Sequence, residues 1–171
     1  GAWSCTTSAL ADGPVTLSVV ARDSVSNPST AATRSITVDT VLPVAPVITS
    51  LGGLTGDSTP TITGTAEGSS TVTVYDGAAA IGSTTASAGG AWSFTPAAAL
   101  SDATHSITAR ATDAAANQGP PSSAVSITVD TTPPGAPVIT SPADNSNTND
   151  STPTISGTAE AGSTVRVSFG A

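Results

Sequence analysis

The chain repeats itself at a distance of 91 residues: Asp39-Thr-Val-Leu-Pro-Val-Ala-Pro-Val-Ile-Thr-Ser50 returns as Asp130-Thr-Thr-Pro-Pro-Gly-Ala-Pro-Val-Ile-Thr-Ser141. Other anchors keep the rhythm: Trp3 recurs as Trp92, Asp12 as Asp102, and Asp57-Ser-Thr-Pro-Thr-Ile as Asp150-Ser-Thr-Pro-Thr-Ile, at offsets of 89, 90 and 93. The small drifts read as loop insertions. A period this long exceeds the ~20 to 50 residues of solenoid repeats and matches a whole small domain. Laid over one another, residues 1–42 match the second half of the unit, 43–133 make one complete unit, and 134–171 match the first part of a third.

Within the complete unit the segments are short, rich in Val, Ile and Thr, alternate with period two and are punctuated by Gly, Pro, Asp and Asn. That is the pattern of strands, and no helix is suggested. Seven are expected, over 46–50, 60–65, 70–76, 80–85, 91–95, 105–113 and 123–130. Their number and spacing are those of an immunoglobulin-like sandwich. The fold class is therefore all-β, with tandem Ig-like Greek-key β-sandwiches of about seven strands. Alternation places Val72, Val74, Trp92, Phe94, Ile107, Ala109, Ala111, Val125, Ile127 and Val129 between the sheets, joined by Ile62, Ile81 and Leu100. The two aromatics bring the largest buried areas to an otherwise thin, Ala-rich core.

Disulfides do not support this fold, because Cys5 is the only cysteine. It falls where Phe94 stands in the next unit and is expected to be a buried small hydrophobe. Twelve acidic residues face four arginines, for a formal net charge of -8, which disfavours nucleic acid and anionic lipid as partners. No apolar run approaches the ~20 residues of a membrane span. Richness in Ser, Thr, Gly and Ala with tandem domains favours an exported bacterial protein.

Ten of the twelve acids stand in register-matched pairs: Asp12 and Asp102, Asp23 and Asp113, Asp39 and Asp130, Asp57 and Asp150, Glu67 and Glu160. If strands run up and down in order, the loops around Glu67, Gly89 and 113–121 gather at the pole facing the preceding unit. Asp39 leaves that unit, and Asp12 approaches from its own loop. Calcium takes six to eight oxygens from carboxylates, carbonyls and amides, so Asp39, Glu67, Asp113 and Asn117, with Asp12, form a candidate calcium site. Asp102, Asp130, Glu160 and Asp23 are its counterparts in the other units. The competing reading makes Asp39 and Asp130 caps of turns before proline and Asp113 the head of an Asx-turn. Between units, Leu42-Pro43-Val44-Ala45-Pro46 and Thr132-Pro133-Pro134-Gly135-Ala136-Pro137 read as semi-rigid connectors.

Catalytic patterns are missing: there is no His-Glu-x-x-His, paired-Cys zinc motif, Gly-x-Ser-x-Gly elbow or phosphate-binding glycine loop. The single histidine, His105, has Val15 as its counterpart and is expected to be a partly exposed strand residue. No enzymatic activity is expected.

The tracts Val129-Asp-Thr-Thr-Pro-Pro-Gly-Ala-Pro137, Ser58-Thr-Pro-Thr-Ile-Thr-Gly-Thr-Ala-Glu67, Gly90-Ala-Trp-Ser-Phe94 and Ala111-Thr-Asp-Ala-Ala-Ala-Asn117, in this order and spacing, resemble the bacterial Ig-like repeats of large secreted surface adhesins, including biofilm-associated and type I secreted ones. The resemblance implies an Ig-like sandwich, an extracellular place at the bacterial cell surface, a stalk or adhesive role, and frequently calcium at domain junctions. One departure is Ala116, where the family often has glycine before the asparagine.

Two functional classes stay open: a structural extender supporting adhesion or biofilm formation, and a carbohydrate- or receptor-binding module. Sugar platforms need exposed aromatics, whereas both tryptophans face the expected core and only Tyr75 points outward. The partners expected are neighbouring repeats of the same chain. Head-to-tail self-association is a further expectation, because 1–42 and 134–171 are complementary parts of a repeat that together lack one strand, 80–85, expected at a sheet edge.

Overall fold

A computed structural model describes residues 2–50 and 52–169. They form two compact units, one running to Asp130 and the other starting at Thr131.

The first unit contains the complete repeat, and its strands follow the sequence pattern with one informative exception. The expected first strand, 46–50, shortens to β3 (Val47–Ile48), and an additional strand outside every expected range, β4 (Gly53–Thr55), lies on the other sheet. The remaining strands are β5 (Ile62–Thr65), β6 (Thr71–Asp76), β7 (Ala79–Thr85), β8 (Ala91–Phe94), β9 (Ala103–Thr112) and β10 (Val125–Val129). One sheet has the order β3-β5-β8, with Ile62 opposite Phe94; the other runs β4-β10-β9-β6-β7. The pairings between β5 and β8 and along β10-β9-β6-β7 are antiparallel, but β4 lies parallel to β10, with Thr55 opposite Val129. Strand β7 lies at a sheet edge, as expected of 80–85.

The two sheets share one core. Val72 and Val74 from β6, Ile107 and Ala109 from β9, and Ile127 and Val129 from β10 meet Ile62, Trp92 and Phe94 from the smaller sheet. Ile81, Leu100 and Val125 pack against this cluster, as alternation requires, and Ala111 is buried beside it. Trp92 is only 4% exposed, so truncating it to Ala would cost about 3 to 5 kcal/mol. The indole has room because Gly64 lies beneath it: a Cβ there would run into the Val47 carbonyl and the Trp92 ring. Ile48, Ala66 and Ala86 also line the core, although the alternation argument did not reach them.

Preceding the complete repeat, β1 (Gly13–Val19) and β2 (Ala32–Val38) form an antiparallel pair equivalent to β9 and β10. Residues 2–11 form no strand, although they align with the stretch that includes β8. The reason is pairing, since β8 is held by β5 in the complete repeat and, among the described residues, the first segment has no such neighbour. Cys5 is consequently exposed rather than buried, and Trp3 is 71% exposed against 4% for Trp92.

In the second unit β11 (Val138–Ser141) pairs with β12 (Ser156–Thr158), repeating the pairing of β3 with β5. Residues 163–169, equivalent to β6, form no strand, and Val165 and Val167 are exposed. Their counterparts Val72 and Val74 are fully buried.

Candidate functional site

The best-organised polar feature of the first unit surrounds the connector that begins at Asp39. Its construction starts in the loop after β9, where Asp113 acts as a template for the chain. Asp113 Oδ1 accepts the backbone N–H groups of Ala115 (2.8 Å) and Asn117 (2.9 Å), and Oδ2 accepts Asn117 Nδ2 at 2.9 Å. This is the Asx-turn reading of that residue. Burial works against the charge on Asp113, but hydrogen bonds from the Asn117 side chain and backbone, then from Ala115 and Ala116, outweigh it and hold the carboxyl below its ordinary range. Ala116 pays for the tight loop with a left-handed backbone, φ 69°. A residue without a Cβ adopts that conformation freely.

The oriented Asn117 amide then reaches the connector, donating to the Asp39 carbonyl at 3.0 Å. Two residues further on, Gly119 is packed so closely on the Pro43 carbonyl that a Cβ would collide with it. Arg110 braces this turn by donating to the Gly119 carbonyl at 3.1 Å. Pro43 and Pro46 are both buried. The connector is held from the other side as well. Asp12 Oδ1 accepts both the N–H and the hydroxyl of Thr40, each at 3.0 Å, and Asp39 Oδ1 caps the turn by accepting Val41 N at 3.0 Å. One connector is thus fastened by the repeat it leaves and by the repeat it enters.

The first segment carries the same loop. Asp23 Oδ1 accepts the N–H groups of Val25 and Asn27, and Oδ2 accepts Asn27 Nδ2 at 2.9 Å. The Asn27 side chain, then its backbone, lowers the Asp23 pKa. Ser26, register-equivalent to Ala116, has φ 70°.

Not all of the candidate ligands join this cluster. Glu67 is exposed, and its turn role belongs to its backbone carbonyl, which accepts the Ser70 N–H and hydroxyl. Glu160 repeats that turn through Ser163, and its Oε2 accepts the N–H of Gly135 at 3.2 Å, tying a connector residue of the second unit to its loop. Asp102 immediately precedes β9, while Asp130 follows β10 and donates its N–H to the Thr55 carbonyl at 2.9 Å. Among the described residues, no three His, Cys, Asp or Glu side chains come together in a way that could hold a metal ion. As arranged, the Asn117 nitrogen stands between the Asp39 carbonyl and the Asp113 carboxylate. The donor set in this arrangement is that of a hydrogen-bonded latch.

Sequence reasoning named Asp39, Asp12, Asp113 and Asn117 but missed Thr40, Gly119 and Arg110. Thr40 is repeated as Thr131, and that repetition was the available signal.

With this geometry in view, the family can be stated. Residues 49–131 match the bacterial Ig-like domain family. The middle repeat is a bacterial Ig-like domain. Two solved structures are similar to the chain. One, a biofilm-associated protein described as its BSP domain, matches at 22% identity with a TM-score of 0.43, over 72% of this chain and 20% of that one. The other, a tetra-tandem repeat in the extending region of a large adhesion protein, matches at 24% identity with a TM-score of 0.43, over 77% of this chain and 35% of that one. The chain thus spans a fifth to about a third of the length of these two relatives. No curated protein matches it. No described helix is long and apolar enough to cross a membrane.

Proposed function

We propose that this chain is an extender segment of an extracellular bacterial adhesin, built from tandem Ig-like Greek-key sandwiches whose connectors hold successive repeats in a fixed order. The observation that carries this reading is the connector fastened from both sides, by Asp12 through Thr40 and by Asn117 through the Asp39 carbonyl. The buried rings of Pro43 and Pro46 support it, because proline fixes φ and restricts the connector further. Strands of ~6 to 8 residues at ~3.3 Å each, plus loops, extend such a stalk by about 35 to 45 Å per repeat. Backbone ¹⁵N relaxation on the full chain tests the reading: β1 and β2 should tumble with the same correlation time as β5 to β10. Independent tumbling would remove the basis for a stiff stalk.

Calcium forms a second part of the proposal, supported by the acid excess and by the oxygens of Asp39 and Asp113 on either side of one amide nitrogen. Binding there requires Asn117 to give up its place. Self-association is a third part. The exposed Trp3 and Val19 of the first segment and the exposed Ile155, Val165 and Val167 of the second unit are counterparts of core residues in the middle repeat, so each face is suited to a complementary part of a repeat. Light scattering across a dilution series should show assemblies that Val165→Asp abolishes; a concentration-independent monomer would remove this part. The carbohydrate-binding alternative is not favoured: Trp92 belongs to the core, and the exposed Trp3 is the counterpart of that core residue.

A further inference from the structure

The inward-facing row of β9 begins with a polar residue. His105 is only 8% exposed, where the sequence pattern suggests partial exposure, because the β6–β7 turn and the chain leading from β8 close over it. Its Nδ1 lies 2.7 Å from Asp76 Oδ2, and its Nε2 lies 3.0 Å from the Ser101 carbonyl oxygen. Both ring nitrogens therefore face acceptors. A carbonyl cannot donate, and the Asp76 carboxylate is oriented as an acceptor by its other oxygen, which takes the N–H of Ser106 at 3.2 Å. A neutral imidazole has a single N–H and leaves one of these two contacts without a proton, whereas an imidazolium satisfies both.

The surroundings contain little else that titrates. From the β6–β7 turn the facing group is the Asp76 carboxylate, and from the crossing segment it is the Ser101 carbonyl. Strand β10 sets Ile127 opposite His105, and the next inward residue along β9 is Ile107. Among the described residues, Asp76 is the charged group that acts on the ring. The arrangement is also local to this repeat. In register, the His105 position is Val15 in the preceding segment, and the Asp76 position is Phe169 in the following one.

We propose that His105, Asp76 and the Ser101 carbonyl form a protonation-dependent clamp, closed when the imidazole carries both protons, so that the middle repeat resists unfolding more strongly at mildly acidic than at alkaline pH. The clamp ties together the β6–β7 turn, β9 and the segment that crosses from β8 to the larger sheet. It goes beyond the extender reading and does not depend on it. The Ser101 carbonyl first, and the Asp76 carboxylate next, raise the His105 pKa above its ordinary 6.5 against the opposing effect of burial. A raised folded value means that the clamp's stability is fully present below the unfolded value and is lost as pH rises through the folded one.

His105 is the only histidine of the chain, so its Hε1 proton resonance reports this site alone. In the full chain the resonance should titrate with a midpoint above 6.5, and Asp76→Asn should move that midpoint down. The urea midpoint of the middle repeat, followed by Trp92 fluorescence in a Trp3→Phe background, should be higher at pH about 6 than at pH about 9. His105→Val, which copies the preceding segment, should lose that difference. A midpoint at or below 6.5, an Asp76→Asn titration that does not move, or the same pH dependence in His105→Val would each overturn the clamp. Should either variant fail to fold, the titration of the unmodified chain still decides.

Discussion

Asn117 donates its side-chain amide to the Asp39 carbonyl at 3.0 Å, joining residues 78 positions apart in the chain. The same nitrogen lies 2.9 Å from Asp113 Oδ2, so one amide closes a loop and fastens a connector at once. Replacing Asn117 with Ala should cost about 1 to 2 kcal/mol, since neutral hydrogen bonds contribute about 0.5 to 1.5 each and those to charged groups more. Amide exchange at Val41 should accelerate in that variant. Asp39→Asn keeps the backbone carbonyl and an Oδ1 that can accept the Val41 N–H, and should leave the Asn117 contact in place, so equal exchange in the two variants would contradict the latch.

Acid should loosen the same loops. Asp113 and Asp23 have lowered folded pKa values, so their contribution is present above the unfolded value near 3.8 and is lost as pH falls through the folded ones. Circular dichroism during acid titration should show Asp113→Asn with a shallower loss of stability below pH about 4 than the unmodified chain. An unchanged acid limb would show that the Asp113 charge is not linked to folding.

Ala116 holds φ 69°, a conformation that costs an L-residue with a Cβ roughly 1 to 2 kcal/mol. Ala116→Gly should therefore raise stability, by less than that full amount because glycine also gains freedom in the unfolded chain. Urea denaturation measures it directly. A destabilised Ala116→Gly would mean that the alanine methyl makes a compensating contact.

In the calcium proposal the cation would take the position that the Asn117 nitrogen holds between the Asp39 carbonyl and Asp113. Asn117→Asp replaces the donor with a second carboxylate beside that of Asp113 and against the Asp39 carbonyl, so in EDTA it should unfold more easily than the unmodified chain. Added calcium should restore its melting temperature, in proportion to ln(1 + [Ca]/Kd). Calorimetry showing no binding to either form, and melting curves indifferent to calcium, would remove the cation from the junction.

Much of this architecture was legible in the sequence because the strands obey a strict period of two. Alternation alone located Val72, Val74, Ile107 and Ile127, since a residue on a pleated strand has only two faces to choose from. It did not find β4, because Gly53–Thr55 is too short to show a period. Residue chemistry named Asp113 and Asn117 but could not say whether their polar atoms would converge on a cation or on each other. That choice depends on rotamers set by the Asx-turn. His105 was misread for a related reason: burial of a histidine depends on whether distant segments bring it partners, and Asp76 and Ser101 do so here. Cys5 and Trp3 follow their counterparts in pattern but not in burial, because a strand face is covered only where its neighbours exist.

The parallel contact between β4 and β10 has a mechanical consequence. The chain enters the middle repeat just before β3 and β4 and leaves it from the end of β10, with Thr55 beside Val129 and Gly53 beside Ile127. Tension applied along the chain pulls these two adjacent, parallel strands in opposite directions along their length. The bonds between them are loaded in shear and must yield together, whereas an antiparallel hairpin pulled from its open end peels one bond at a time. The short strand that departs from the expected pattern therefore lies where a towed filament would bear its load.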